Sequence, residues 1–386
     1  MRDGAQPPAP PAAEAPVARE ARGAAPRYQI PWRALTMVGA LLVIWIVFAL
    51  LTEEGRFLTP RNLSLLARQM AVTSILAIGM VLVIVTGQID LSVGAMAGLL
   101  GAVASMAVVY RGWPVPVAFA AGIGLGALAG LVQGTLVAKL KIPPFIVTLG
   151  GMLIFQGVLL GWTGGISIIP PGSFLRVGQT YVPPNVGWVL AGLLAAFFVV
   201  RAFVPRGPVR WKWLGLAVLA LVPTGVMNAY NGIPVPVLLM LVLAGLFAGI
   251  ARHTAFGRHL YAIGGNREAA FYSGIDIDRR IMGVYTLMGM LCAVAGIVLT
   301  ARVGAATSDA GRMMELDAIA AAVIGGTSLL GGQGTVWGAL LGAMVMASLD
   351  NGMSLLNTES FWQPIIKGAI LVAAVAADLA GRRGKR

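Results

Sequence analysis

Three polar islands interrupt an otherwise apolar chain and hold most of the residues able to do chemistry. The first is Thr86-Gly-Gln-Ile-Asp-Leu-Ser-Val-Gly94, where Thr86, Gln88, Asp90 and Ser92 break an apolar run. The second spans Ile324 to Thr335, in which Thr327 and Gln333 stand among five glycines. Unwound backbone at membrane depth is tolerated where it is buried in protein or lines a water-filled cavity, and interrupted segments point to a transport path. Thr86, Gln88, Asp90, Ser92, Thr327 and Gln333 are therefore candidates to line such a path. Asp90 has a second reading, as a cap accepting backbone N–H bonds from the following helix, and the two roles can coexist. The third island, residues 257 to 275, is too long for a tight turn and is patterned: Glu268-Ala269-Ala270 precedes Gly274. Such a segment beside a membrane points to a partner.

Other chemistry is missing from the sequence. There is no phosphate-binding G-x-x-x-x-G-K-[ST] and no H-E-x-x-H. The two histidines, His253 and His259, fall in the third island's neighbourhood and not in the apolar runs. No paired carboxylates, metal set or Ser/His/Asp set marks the spans, so neither an enzyme nor a cofactor or metal site is expected. The single cysteine, Cys292, excludes an internal disulfide. Gly122, Gly126 and Gly130 are spaced four apart and predict a close-packing face for another helix. Intramembrane charge is sparse: beyond Asp90, Glu315 and Asp317 open a span, and Asp350 and Lys367 lie near span ends within reach of interfacial water.

These islands need a membrane scaffold to position them. The chain is 58% hydrophobic and 11% charged, and the charged share is under half the roughly 25% of a soluble domain. Continuous apolar runs predict an all-α polytopic bundle of about 10–12 spans with Gly-broken helix pairs. The segments fall near 33–51, 69–87, 91–109, 114–138, 145–161, 185–203, 213–230, 235–251, 281–301, 316–331, 333–350 and 363–380. With the N-terminus inside, 20 of the 28 Lys and Arg residues fall on the inner side, which puts both termini and the third island in the cytoplasm. That distribution explains the net charge of +13 through lipid headgroups, without nucleic acid. Residues 1–31 read as a disordered cytoplasmic tail, 32–380 as the membrane domain with a cytoplasmic loop at 252–280, and 381–386 as a basic tail. The outer connection 162–184 suits a lid, a docking surface or a rigid extended linker. Leu99-Leu100-Gly101-Ala102 and Leu340-Leu341-Gly342-Ala343 follow the two breaks at an offset of 241, a pattern suggesting a duplicated hairpin.

The chain resembles the permease subunits of ATP-binding-cassette sugar importers of the ribose, xylose and galactose type. Four blocks carry the resemblance: Thr86 to Gly94; Lys141-Ile-Pro-Pro-Phe-Ile-Val-Thr-Leu-Gly150; Gly257 to Ala270 with Ser273-Gly-Ile275; and Glu315-Leu-Asp-Ala-Ile-Ala320 through Gly325-Gly-Thr327 to Gly331-Gly-Gln-Gly334. It covers about residues 60 to 380. The resemblance implies a bacterial inner-membrane subunit that pairs with a second permease copy, a cytoplasmic ATPase holding ATP and Mg, and an extracytoplasmic sugar-binding protein. It also implies a coupling loop that seats in the ATPase, here Gly264, Gly265, Asn266, Arg267, Glu268, Ala269, Ala270 and Gly274. Departures are Gln88, where the family pattern suggests glycine, and Phe271-Tyr272, where a charged-aliphatic pair is usual. An extra span pair near 204–234 is similar to the xylose-type subfamily, which makes D-xylose the first expected solute and ribose or another sugar the next. Importers of branched-chain amino acids or nucleosides share the architecture, and an ion-coupled carrier is a further alternative.

Overall fold

The computed structural model describes residues 32–203 and 210–383, so the expected tail 1–31, residues 204–209 and the last three residues lie outside the described residues. Fifteen α-helices make up nearly all of that part: α1 (Trp32–Leu51), α2 (Pro60–Val85), α3 (Val93–Arg111), α4 (Val115–Ala138), α5 (Pro144–Thr163), α6 (Gly172–Gln179), α7 (Pro184–Phe203), α8 (Arg210–Asn228), α9 (Val235–His253), α10 (Ala255–Gly265), α11 (Arg267–Tyr272), α12 (Ile277–Val303), α13 (Met314–Ile324), α14 (Val336–Leu355) and α15 (Trp362–Arg383). Prolines open α2, α5 and α7, where the missing N–H costs no hydrogen bond and φ is already helical. Among the described residues seven helices, α2, α3, α4, α5, α7, α9 and α12, are long and apolar enough to cross a bilayer. The chain is a multi-pass helical membrane protein.

The inner helices are α2, α3 and α12. Every residue of α2 from Ser74 to Val85 is buried, which is why this helix is apolar on all sides. The outer helices α4, α5 and α7 turn apolar side chains such as Leu128, Leu153, Ile154, Leu193 and Val200 outward, as a lipid-facing surface requires. Lipid tails give no hydrophobic drive to helix association, so close backbone approach must supply the contact. The glycine row of α4 does this as expected. A Cβ on Gly126 would collide with the Gly289 carbonyl of α12, and one on Gly130 with the Tyr285 carbonyl. Gly122 is looser, with 3.6 Å to Ile297.

Three sequence expectations are corrected. The run 316–331 is not one span, because the helix stops at Ile324 and its last seven residues are unwound. The connection 162–184 is not an extended linker: α6 lies within it, with Phe174 buried and Gly178 against the backbone of Ala301 and Arg302. Strand β1 (Tyr181–Val182) then pairs antiparallel with β2 (Ile233–Pro234). This folded cap ties the ends of α6 and α8 to α9.

Asp317, Asp350 and Lys367 do not simply face interfacial water. Lys367 Nζ lies 3.0 Å from Asp317 and 2.8 Å from Asp350, and all three side chains are at most 22% exposed. The cluster joins α13, α14 and α15. Lys367→Met would leave two half-buried carboxylates without a cation, an arrangement that costs about 3 kcal/mol or more when the pair is well buried. We expect this variant to lower the thermal midpoint of the detergent-purified chain sharply. The triple variant Asp317→Asn/Asp350→Asn/Lys367→Met should recover most of the loss, as read by size-exclusion after heating. An unchanged midpoint for Lys367→Met would show that the three groups do not act as one ion cluster.

Candidate functional site

The first break starts where α2 runs out of side chains that favour continuation. Thr86 turns back: its hydroxyl donates to the Val83 carbonyl at 2.7 Å, and its own N–H and that of Gln88 reach the same oxygen. Gly87 follows at φ +78°, a conformation that favours glycine. Beyond it, Asp90 Oδ1 accepts the Ser92 N–H at 2.8 Å and the Ser92 hydroxyl at 2.7 Å. The expected cap therefore stops one residue short of α3, at the residue that precedes Val93. Asp90 is 1% exposed and forms no ion pair among the described residues.

Neighbouring spans complete this polar cluster. Gln133 of α4 donates to the Ser92 hydroxyl at 3.0 Å, and its amide lies directly on Gly151 of α5, where a Cβ would collide. Thr148 of α5 leans on the Ile89 carbonyl at 3.4 Å. Neither Gln133 nor Thr148 was singled out from sequence. The signal was there for Gln133, the one amide side chain in α4.

The second break repeats the opening geometry of the first. Gly326 N–H bonds to the Val323 carbonyl at 2.8 Å, as Gly87 N–H does to Ile84 at 2.8 Å, and Gly326 takes φ +87°. Ser328 N–H then reaches the Gln333 carbonyl at 2.9 Å and Gly331 N–H the Ser328 carbonyl at 2.9 Å, closing a compact loop. Thr335 caps α14 by accepting the Gly338 N–H at 3.0 Å. Thr327 is buried and its hydroxyl has no partner among the described residues, and the Gln88 Oε1 is likewise buried and without a partner there. Gln333 differs from the other five path candidates in being exposed.

The third island folds as α10 and α11. Asn266 separates them with an extended backbone, and its side chain accepts the Ala269 N–H at 2.9 Å to cap α11. Ala270 is buried in the main core. Arg267, Glu268 and Ala269 are exposed. Ser273 closes the helix by donating to the Ala269 carbonyl at 2.7 Å, and Gly274 turns the chain at φ +79°.

All three islands meet at one junction. Gly332 N–H donates to the Val85 carbonyl at 2.9 Å, joining the second break to the end of α2. Gly264 of α10 lies on both: a Cβ there would collide with the Val85 carbonyl and stand 2.6 Å from the Gly332 nitrogen. Tyr261, also on α10, donates its hydroxyl to the Gly334 carbonyl at 2.9 Å. Burial pushes the Tyr261 phenol above its ordinary pKa. Nothing in the sequence marked Tyr261, because its partner is 73 residues away.

Residues 62–375 match the family described as the permease component of branched-chain amino acid transport systems. The chain belongs to this permease family. The xylose transport system permease protein XylH of Escherichia coli K12 is 46% identical over 91% of this chain and 93% of its own length. The protein of the same name from Haemophilus influenzae is 44% identical over 90% and 96%. The ribose import permease protein RbsC of Escherichia coli K12 is 37% identical over 88% and 91%. No solved structure matches the permease.

The junction makes a sharp prediction about two adjacent glycines. A methyl group on Gly264 has no room, whereas one on Gly265 meets nothing within 4 Å. Gly264→Ala should cost about 1–3 kcal/mol by overpacking, read as a lower thermal midpoint and poorer yield. Gly265→Ala should be neutral in the same assay. Equal behaviour of the two variants would contradict the packing described.

Proposed function

We propose that this permease is the membrane-spanning subunit of an ATP-driven importer for a sugar, D-xylose first and ribose or another monosaccharide next. The single observation that carries the mechanism is the junction of α10 with both helix breaks. A force applied to the α10–α11 island has a backbone-to-backbone route into the unwound segments. The xylose and ribose permeases that share 46% and 37% of its residues favour a sugar over the amino acids named in the family description.

In this reading 32–380 is the permease domain and the loop 252–280 lies in the cytoplasm with both termini. A separate cytoplasmic ATPase holds ATP and Mg and grips Gly264 to Gly274. A second permease copy forms the other wall of the path, and an extracytoplasmic binding protein delivers the sugar. Closure of the ATPase moves the gripped islands as rigid bodies, and the path opens alternately to either side of the inner membrane. Thr86, Gln88, Asp90, Ser92, Thr327 and Gln333 are the proposed path residues. A neutral sugar needs hydrogen-bonding groups and no counter-charge, which these side chains offer. The free buried acceptor of Gln88 and the free hydroxyl of Thr327 fit that demand. The permease holds the sugar weakly, so that release is fast, and selectivity rests with the binding protein.

The test is sugar uptake and ATPase turnover by the reconstituted complex. Glu268→Lys and Gly274→Trp change exposed positions and leave the core intact. Each is expected to cut ATP-driven uptake at least about tenfold; Glu268→Lys should keep the thermal midpoint, whereas Gly274→Trp also strains a left-handed turn at φ +79° and should lower it somewhat. Uptake at the parent rate by both variants would overturn the coupling assignment. Uptake of ribose or an amino acid in preference to xylose would overturn the solute assignment alone.

A further inference from the structure

Between α3, α4 and the end of α5 lies a groove of about 570 Å³, at the end of α3 remote from the first break. A space of that size is enough for a ligand. The residue pattern explains why it stays open. Val103, Ala107 and Tyr110 recur three or four residues apart and so share one face of α3, and Ala118, Ala121 and Leu125 do the same on α4. The alanines leave a floor where larger side chains would fill the space between the two helices. Trp162 of α5 completes the lining. The mouth is aromatic: Tyr110, Trp113 and Trp162 are all exposed, as are Val117 and Leu160 close by in the chain. Trp and Tyr at the ends of exposed apolar helices mark the level where lipid headgroups begin.

The polar groups of this groove are donors. Arg111 carries the only charge in the lining, and the two indole N–H groups and the Tyr110 hydroxyl are the other donors. No carboxylate or amide side chain lines it, so the hydroxyl hydrogens of a sugar would find little to accept them. Arg111 is exposed and forms no ion pair or hydrogen bond among the described residues. Helix α4 opens at Val115 without a side-chain cap, which adds the positive end of its dipole beside Arg111. The surrounding chain supplies no counter-charge, because residues 91–267 contain no Asp or Glu at all. The anion must come from outside this part of the chain. A second copy does not bring one: a two-fold contact sets a patch against itself, and Arg111 would face Arg111.

We propose that this groove is a binding site for an anionic phospholipid. The lipid phosphate takes the Arg111 guanidinium, whose paired N–H donors suit an oxyanion. One acyl chain lies on the apolar floor of Ala107, Ala118 and Ala121, and the aromatic mouth sits at the level of the glycerol. The lipid fills a gap that the side chains of α3 and α4 leave open, and so becomes part of the packing at that end of the bundle. This inference is independent of the solute and of the coupling reading above.

The experiment is native mass spectrometry of the detergent-purified permease with equal amounts of phosphatidylglycerol and phosphatidylcholine carrying the same acyl chains. The parent should retain phosphatidylglycerol at least about tenfold better, since a hydrogen bond between charged groups carries that factor. Arg111→Gln should lose the preference, and Arg111→Lys should keep most of it. Ala121→Phe should fill the floor and lower retention of both lipids. Because Arg111 is exposed and without a partner among the described residues, Arg111→Gln should keep the parent's thermal midpoint before lipid is added. Added phosphatidylglycerol should then raise the midpoint of the parent and not that of the variant. Equal retention of the two lipids by the parent, or an unchanged preference in Arg111→Gln, would overturn the site. Displacement of phosphatidylglycerol by equimolar inorganic phosphate would assign Arg111 to a free oxyanion and overturn the lipid. Dissociation of a permease dimer by Ala121→Phe, read by size-exclusion, would assign the groove to a second copy and overturn it as well.

Discussion

The architecture depends on a contact between bare backbones. Gly264, the Val85 carbonyl and the Gly332 amide lie so close that no side chain fits between them. Gly331 adds to the same knot, with 3.0 Å from its Cβ direction to the Gly87 nitrogen. This contact converts three separate polar islands into one body. It also satisfies groups that unwinding leaves open, since the Val85 carbonyl has no helical partner once α2 ends and finds one in Gly332. Without it the second break would expose unpaired backbone at membrane depth, where each unsatisfied group costs several kcal/mol.

The same device recurs through the bundle. Gly289 and Gly296 of α12 lie on the backbones of Gly126 and Ala97, and Gly94 and Gly98 of α3 lie on the backbone of Gly311 and Ala310. In lipid, where apolar burial gives no gain between helices, van der Waals contact at this range is what holds spans together. The glycines at these helix crossings are thus a structural requirement of the permease and not a sign of looseness. The polar clusters around Asp90 and around Lys367 then set register where glycine contacts alone would let helices slide.

Much of this was legible in the sequence, because a span announces itself by a continuous apolar run. Each of the twelve expected segments overlaps a helix, 316–331 only as far as Ile324, and the first break, 86–92, matches the gap between α2 and α3. The errors have physical causes. The segment expected to begin at 69 starts at Pro60, because Asn62 and Arg68 looked too polar for a span. Their partners are remote: Asn62 bonds Asn351 at 2.8 Å, and Arg68 bonds Tyr181 and the Gly178 carbonyl, each at 3.0 Å. Helix α6 was missed because eight residues between proline pairs are too short and too polar to read as a span. Tyr261 was missed because a hydrogen bond across 73 residues leaves no local mark, whereas Gln133 does leave one, as the lone amide side chain in an apolar helix.

The central claim is that the α10–α11 island and the second break move as one rigid body during transport. The most direct measurement is the pulsed electron paramagnetic resonance distance between spin labels on Gly265→Cys and Leu330→Cys. Both positions are exposed, and the native Cys292 is buried. The distance should be the same in the nucleotide-free and ATP-trapped complex, even as the distance between the two Leu330 labels of paired permeases changes. A shift in the Gly265–Leu330 distance between the two states would contradict the account.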